Sequence, residues 1–345
     1  MVVLLCEREG HETFISVAKL VSHYVNIFGI YSPLALYGRE GQGGEKGYCV
    51  RLFCSSRSSS YLCRMNKHLL RHTRESISLR YAEGEAEAVA RIIIEDGLHL
   101  SVPQALQREV TDLSPDERIK LEEMCRRVVA GEPVQYVVGS TLFCGLRLSV
   151  TPAVLIPRPE TEQLIDIVCD SVQNINRKEA NLRILDLGTG NGAIAIALKH
   201  RLPHAYVEAW DISEAAIGVA RENATACGLS VKFIVRDMLD EPPAKAPFDI
   251  IVSNPPYICE REKPSMETHV LSYEPHLALF VPDADPLRFY RAVCRQALSA
   301  AAQLVAVECH RDYAADVALL FHQQGFAAHV LADHYGNPRF VLAEQ

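Results

Sequence analysis

The chain has 345 residues, 48% of them hydrophobic and 23% charged, an ordinary globular balance with length enough for two domains. No run approaches the ~18 uninterrupted apolar residues of a membrane span, so no membrane association is expected, and a formal net charge of -8 lacks the basic field of a strong nucleic-acid binder. Eleven cysteines, an odd number without paired C-x-x-C spacing, argue against a disulfide framework or a structural zinc site and for reduced thiols in a cytoplasmic protein.

Residues 1–64 read apart from the rest. They hold Cys6, Cys49, Cys54 and Cys63, a Gly41-Gln42-Gly43-Gly44 run and a Ser-rich tract from Ser55 to Ser60, with no capped, periodic helix. Met1 to Leu5 is apolar but too short for a signal core, and Glu7, Glu9, Glu12, Glu40 and Glu45 argue against a mitochondrial transit peptide. The segment is expected to be a non-native extension ahead of a natural start at Met65, with a disordered or accessory extension as the alternative.

From Met65 the pattern changes. Ala86, Val89, Ile92 and Ile93 recur at helical spacing. In Ser114-Pro115-Asp116-Glu117, Ser114 can cap, Pro115 suits the first helical position and Glu117 can close a capping box. Leu121, Met124 and Val128 then line one face and Gly131 can end the helix. Residues 65–132 are therefore expected to form a small helical domain. Residues 133–157 alternate apolar and polar around Gly139 and Gly145, which predicts a β-hairpin connector. Leu164, Ile165, Val168 and Val172 form another amphipathic helix, opening a domain over 158–345.

Short apolar strands are expected at Arg183–Leu187, Tyr206–Asp211, Val231–Val235, Asp249–Ser253 and Leu304–Glu308, mostly separated by helical stretches. Repeated βα units imply a mostly parallel sheet with helices on both faces and a ligand site beyond the carboxyl ends of the strands.

The first of these strands runs into Asp186-Leu187-Gly188-Thr189-Gly190-Asn191-Gly192. Three glycines let the backbone turn tightly and approach a ligand at a helix N-terminus. Asp211, ending the second strand, suits ribose hydroxyls, and Asp237, after the third, could face adenine. Gly188, Gly190 and Ala193 also satisfy a dinucleotide fingerprint, with Asp211 at about its 20-residue offset. Gly192 and Asp186 favour S-adenosyl-L-methionine instead, because a carboxylate two residues before the first glycine would meet the methionine end of that cofactor and not a pyrophosphate.

The fourth strand ends in Asn254-Pro255-Pro256-Tyr257. Two prolines fix φ and remove two backbone donors. The loop thus offers rigid carbonyl acceptors, the Asn254 side-chain carbonyl and the aromatic wall of Tyr257. A planar –NH2 substrate has two N–H donors and a delocalised lone pair. Acceptors at Asn254 and Pro255 can hold its N–H groups and aim the lone pair at a methyl donor. No metal or dedicated base is required.

With these motifs in place, residues 65–345 resemble the HemK/PrmC protein-(glutamine-N5) methyltransferases. The resemblance rests on Gly131-Glu132-Pro133-Val134-Gln135-Tyr136, Leu155-Ile156-Pro157-Arg158-Pro159-Glu160-Thr161-Glu162, Asp186–Gly192, Asn254–Ile258, Tyr273-Glu274-Pro275, and Tyr335-Gly336 with Arg339. It implies an α/β, Rossmann-like class I S-adenosylmethionine-dependent methyltransferase with a mostly parallel seven-stranded sheet and an amino-terminal helical domain that recognises substrate. It implies cofactor contacts at Gly188, Thr189, Gly190, Asn191, Gly192, Asp211, Met238 and Asn254, and a substrate glutamine lying against Asn254, Pro255, Pro256 and Tyr257. The implied substrate is the glutamine of the Gly-Gly-Gln motif in class 1 peptide-chain release factors, met by a monomer. Met238 stands where some members have Trp, and Cys259 where many have an acid.

Three rival readings remain at this point. A ribosomal-protein glutamine methyltransferase would differ over Pro157–Glu162. A DNA or rRNA amino-methyltransferase would carry a basic region, whereas residues 65–345 hold 28 Lys and Arg against 38 Asp and Glu. A non-enzymatic cofactor-binding assembly factor would not need Asn254–Tyr257 intact.

Overall fold

The computed structural model describes residues 36–40, 46–50, 68–172, 181–243 and 247–345. Leu36–Glu40 (β1) and Lys46–Val50 (β2) pair antiparallel, Leu36 opposite Val50. The sequence reading gives neither strand. The rest of what it says of residues 1–64 lies outside the described residues. Residues 68–345 form a separate compact unit.

That unit begins with helices α1 (Leu69–Ile77), α2 (Glu83–Ile92), α3 (Val102–Gln107), α4 (Pro115–Val129) and α5 (Val134–Val138). The capping box at α4 forms as its residues dictate. Ser114 Oγ accepts from the Glu117 N–H at 3.2 Å, and Glu117 Oε2 accepts from the Ser114 N–H at 2.8 Å. The periodicity through Ile92 misses one feature. A single π turn, Ile93–Gly97, follows α2 and rotates the chain, so that Ile93 and Ile94 are both buried while Ile92 is half-buried. Gly97 packs closely there, since a Cβ would lie 2.5 Å from Met124 Sδ and the thioether would have to shift. Leu69, Ile77, Ala90, Leu121 and Val128 complete this core.

The predicted hairpin is shorter than its alternation suggests. Residues 134–138 make the turn of helix α5 first, ended by Gly139, and then Ser140–Phe143 (β3) pairs with Leu146–Ser149 (β4) across a tight turn at Cys144-Gly145. Helix α6 (Pro159–Ser171) follows, with Pro159 in its first turn.

The main sheet has seven strands: Arg183–Leu187 (β5), Tyr206–Asp211 (β6), Lys232–Val235 (β7), Ile250–Ser253 (β8), Leu304–Glu308 (β11), Ala327–Ala332 (β12) and Pro338–Glu344 (β13). The intervening β9 (Ile258–Cys259) and β10 (Phe280–Val281) form a separate parallel pair. The order is β12-β13-β11-β8-β5-β6-β7. The pairs among β5, β6, β7, β8 and β11 are parallel, and β13 runs antiparallel to both β11 and β12. The chain leaves β5 toward β6 and β7, then returns to place β8 on the other side of β5. The crevice at this change of direction lies between the carboxyl ends of β5 and β8, where open α/β sheets take their ligands.

Helices α7 (Ala193–Arg201), α8 (Glu214–Ala226), α11 (Arg288–Ala300) and α12 (Ala314–Gln323) cover the sheet; two short helices, α9 (Thr268–Tyr273) and α10 (His276–Leu279), precede β10. Strand parity splits the core in two. Ile184, Ile250, Leu304 and the α7 residues Ala195 to Leu198 form one layer, and Leu185, Ile251, Val305 with Val293 and Phe321 the other. Phe143 and Leu148 of the hairpin join the first layer.

Asn223 on α8 fastens that hairpin to the loop after β5. Its Oδ1 accepts from the Ser149 N–H at 2.7 Å, and its Nδ2 donates to the Ser149 carbonyl at 3.1 Å and the Asn191 carbonyl at 3.0 Å. The side chain is 1% exposed. Asn223→Ala removes the acceptor of the part-buried Ser149 N–H and weakens the hold on two carbonyls, and is expected to destabilise the fold by roughly 1–3 kcal/mol. A urea titration checks this, and an unchanged midpoint would remove Asn223 from the fold's supports.

Candidate active site

Strand parity turns Asp186 to the α7 side of the sheet, where it is fully buried. Its Oδ2 accepts from the Thr189 hydroxyl at 2.6 Å, while its Oδ1 meets no hydrogen-bond donor. Burial pushes the Asp186 carboxyl up to about 7, and the Thr189 hydroxyl and the Ala195 backbone N–H offset this only in part. A buried carboxylate oxygen without a donor is costly, and it fits a cationic group brought by a ligand.

The glycine loop is pinned to its neighbour. The Gly188 and Thr189 N–H groups donate to the Trp210 carbonyl at 2.9 and 3.0 Å, and the Gly190 N–H donates to Asp211 Oδ2 at 2.8 Å. Asp211 Oδ1 accepts from the Ser213 N–H at 2.9 Å. Burial raises the Asp211 pKa, and these two N–H groups pull it back. Asp211 Oδ2 therefore holds the glycine loop, and Oδ1 closes its own turn. Gly190 has φ +55°, and a Cβ there would meet nothing within 4 Å, so the space beside it is open. A Cβ on Gly188 would lie 3.0 Å from Met238 Cε, which places the buried Met238 against this loop.

Two residues of the sequence-derived set have other partners. Asn191 is buried, and its Nδ2 donates to the Ser149 carbonyl at 3.3 Å. Its side chain thus ties the loop to the hairpin. Asp237 Oδ1 accepts from the Leu239 N–H at 2.8 Å, within its own turn.

The β8 loop sits directly beside the glycine loop. Leu187 and Ser253 are partners in the sheet register, and the Ser253 hydroxyl donates to the Leu187 carbonyl at 2.6 Å. Beyond Ser253, Pro255 is buried, and Asn254, Pro256 and Tyr257 are half-buried. Asn254 Nδ2 donates to Thr161 Oγ1 at 3.2 Å, the Thr161 hydroxyl donates to Glu308 Oε2 at 2.7 Å, and the Tyr257 hydroxyl donates to Glu308 Oε1 at 3.2 Å. Desolvation, with the nearby Glu308 carboxylate, moves the Tyr257 phenol above its ordinary range. Cys259 is fully buried, its Sγ 3.6 Å from the Tyr313 hydroxyl, so its thiol faces no outside substrate.

Sequence reasoning does not single out Glu308, Ser253 or Asn223, and takes Thr161 only as part of a motif. The signals were present. Glu308 and Ser253 end strands on the ligand side of a parallel sheet, where a polar residue closing an apolar run is itself a pointer. Arg158 of the same motif pairs with buried Glu274 at 2.7 Å, which joins two segments singled out separately in the sequence.

The methyltransferase small domain model matches residues 166–272, and the PrmC N-terminal domain model matches residues 68–139. The release factor glutamine methyltransferase of Bacteroides thetaiotaomicron is 37% identical over 279 residues, covering 79% of this chain and 98% of that relative. The enzyme of the same name from Flavobacterium psychrophilum is 37% identical over 277 residues, covering 77% and 94%. Among solved structures, the hMettl16 catalytic domain in complex with an RNA hairpin superposes with a TM-score of 0.47 at 15% identity, over 67% of this chain and 82% of that one. Among the described residues, no helix is long and apolar enough to cross a membrane. The fold is that of the class I S-adenosylmethionine-dependent methyltransferases, and the chain belongs to the release factor glutamine methyltransferase family.

Proposed function

We propose that this chain methylates the N5 amide nitrogen of the glutamine in the Gly-Gly-Gln motif of class 1 peptide-chain release factors, with Asn254-Pro255-Pro256-Tyr257 as the loop that presents that amide. The observation that carries the reading is the Ser253–Leu187 hydrogen bond at 2.6 Å. It holds the acceptor loop beside the glycine loop and makes one site of the two.

S-adenosylmethionine, when bound, supplies an electrophilic methyl group on a sulfonium. The rest is the work of this chain's residues. Asp186 Oδ1 is suited to the amino end of the cofactor, Asp211 to the ribose, and Met238 to the face of the base. Met packs there with less stacking than an aromatic ring would give. An amide nitrogen is a poor nucleophile, because its lone pair is shared with the carbonyl. Asn254 Oδ1 and the Pro255 carbonyl accept its two N–H groups and set the direction of the lone pair, and Tyr257 limits its approach. Positioning of this kind is worth about 7–11 kcal/mol in well-oriented cases. Acceptors that tighten as positive charge grows on nitrogen add to it, comparable in kind to the ~2.7–4 kcal/mol of one oxyanion-hole donor. The methylated nitrogen is strongly acidic and loses its proton without a dedicated base. The acidic balance of residues 65–345 weighs against a nucleic-acid amine as substrate.

The test is incubation with labelled methyl donor and a purified release factor, followed by mass spectrometry of the Gly-Gly-Gln peptide. Label found instead on a ribosomal protein or on nucleic acid overturns the reading.

Two predictions follow from the residue roles. With Asp186 titrating at about 7 before ligand binds, S-adenosylhomocysteine should bind more tightly as pH rises through that value and should displace protons. Asp186→Asn removes a charge-assisted bond worth about 1.5–3 kcal/mol, a loss of roughly 10- to 100-fold in affinity, and flattens the pH dependence. The sign for stability is opposite. A raised carboxyl favours the ligand-free fold at low pH and loses that contribution as pH climbs to about 7. The ligand-free Asn variant should therefore melt above wild type at neutral pH. Calorimetry at several pH values decides, and a pH-independent affinity that the variant leaves unchanged would sink the role.

Asn254→Ala should leave the melting temperature nearly unchanged, since the residue lies in a loop beyond the sheet. Cofactor affinity should fall modestly and kcat should collapse, because the lost acceptor acts mainly in the transition state. Asn254→Asp keeps an acceptor and should retain reduced activity. Wild-type kcat in Asn254→Ala on a release factor would refute the role assigned to this loop.

A further inference from the structure

We propose that Thr161 and Glu308 are positioning residues that fix which end of the Asn254 side-chain amide faces the substrate. This rests on the reading of Asn254 as the acceptor for a substrate amide.

A carboxamide has two ends of nearly equal shape and opposite hydrogen-bonding sense. The oxygen accepts and the nitrogen donates. The substrate glutamine presents an –NH2 group. If Asn254 turned its own nitrogen outward, donor would face donor and the substrate amide would lose an anchor. Packing around the loop cannot choose between the two orientations, because they occupy the same volume. A neighbour of fixed polarity can.

Thr161 alone is not such a neighbour, since a hydroxyl both donates and accepts. Glu308 removes the ambiguity. It is 1% exposed, at the end of β11, and in the ionised form its carboxylate only accepts. The Thr161 hydroxyl commits its single proton to Glu308 Oε2 at 2.7 Å. Thr161 Oγ1 can then only accept toward Asn254, and it does so from Nδ2 at 3.2 Å. The Asn254 oxygen is left for the other side.

The same carboxylate takes the Tyr257 hydroxyl on Oε1 at 3.2 Å, so both ends of the Asn254–Tyr257 loop are referred to one buried charge. Burial, with the Glu160 charge, raises the Glu308 pKa, and the Thr161 hydroxyl, the Arg339 charge and the Tyr257 hydroxyl pull it back toward the ionised form. Thr161 lies 93 residues from Asn254 and 147 from Glu308 in sequence. The polarity of the loop is therefore set by tertiary structure and not by the loop's own residues.

The test is steady-state methylation of a purified release factor, with melting temperature and S-adenosylhomocysteine affinity measured on each variant. Thr161→Val should lower kcat by up to about 100-fold, the scale of a small misplacement of reacting groups. KM and cofactor affinity should change little. Thr161→Ser restores the hydroxyl and should recover most of kcat. Glu308→Gln should also lose kcat, because its –NH2 can donate to Thr161 Oγ1 and reverse the hydroxyl. In an Asn254→Asp background the two ends of residue 254 are alike and no orientation needs setting. Thr161→Val should cost far less there, whereas a packing role would cost the same in both backgrounds.

An unchanged kcat in Thr161→Val overturns the proposal, as do equal costs in the two backgrounds. If Thr161→Val does not fold, an unchanged kcat in Glu308→Gln does so instead. A wild-type chain that leaves the release factor unmethylated overturns the functional reading beneath it, a separate result.

Discussion

A carboxylate buried at a strand end is costly unless donors meet it, and this sheet carries three along its carboxyl edge, Asp186 and Glu308 buried and Asp211 half-buried. Asp186 lies near the end of β5, Asp211 ends β6 and Glu308 ends β11. The loops around the site take their shape from meeting these groups. Asp211 draws in the Gly190 and Ser213 N–H groups, Asp186 draws in the Thr189 hydroxyl, and Glu308 draws in the Thr161 and Tyr257 hydroxyls. One demand is left over, at Asp186 Oδ1.

The parts of this arrangement legible in the sequence are the local ones. A cap, a Pro at a first helical turn and a glycine-rich βα turn are written in neighbouring residues. Ser114 with Glu117, and Asp186 through Gly192, are found for that reason. Strand ends are legible too, which is why Asp211 and Asn254 can be picked out before any fold is known. The π turn at Ile93–Gly97 is not, because it packs against Met124 and Val138, residues distant in sequence. Helix α5 interrupts a pattern that reads equally well as alternation over so few residues. Asn223 is one polar residue on a helix until its three partners from two other segments are known.

The same distinction explains Asn191 and Asp237. Both lie where sequence reasoning expects ligand contacts, and the side chains of both serve the backbone, Asn191 by reaching the hairpin and Asp237 by closing its own turn. Position in a motif says that a residue is near the site. Which way its side chain turns is decided by the nearest unsatisfied backbone group, often from a distant segment. For Asn191 that group is the Ser149 carbonyl, 42 residues away.

The first turn of α6 shows how far this goes. Arg158, entering the helix, pairs with Glu274; Thr161 bridges Glu308 and Asn254; Glu162 Oε1 accepts from the Cys144 N–H at 2.9 Å; and Gln163 Nε2 donates to the Ala332 carbonyl at 3.0 Å. Four nearly successive side chains thus reach the α9–α10 junction, the β8 loop, the hairpin and the end of β12. A helical turn can do this, since its residues point in different directions. Pro159 helps by fixing the entry of the chain without spending an N–H. None of these side chains is interchangeable with its neighbour, because each answers a group of different polarity on a different element. A segment so placed couples the hairpin that follows the helical unit to the loop that would hold the substrate amide, and the residues of the helix start, though outside that loop, set its geometry.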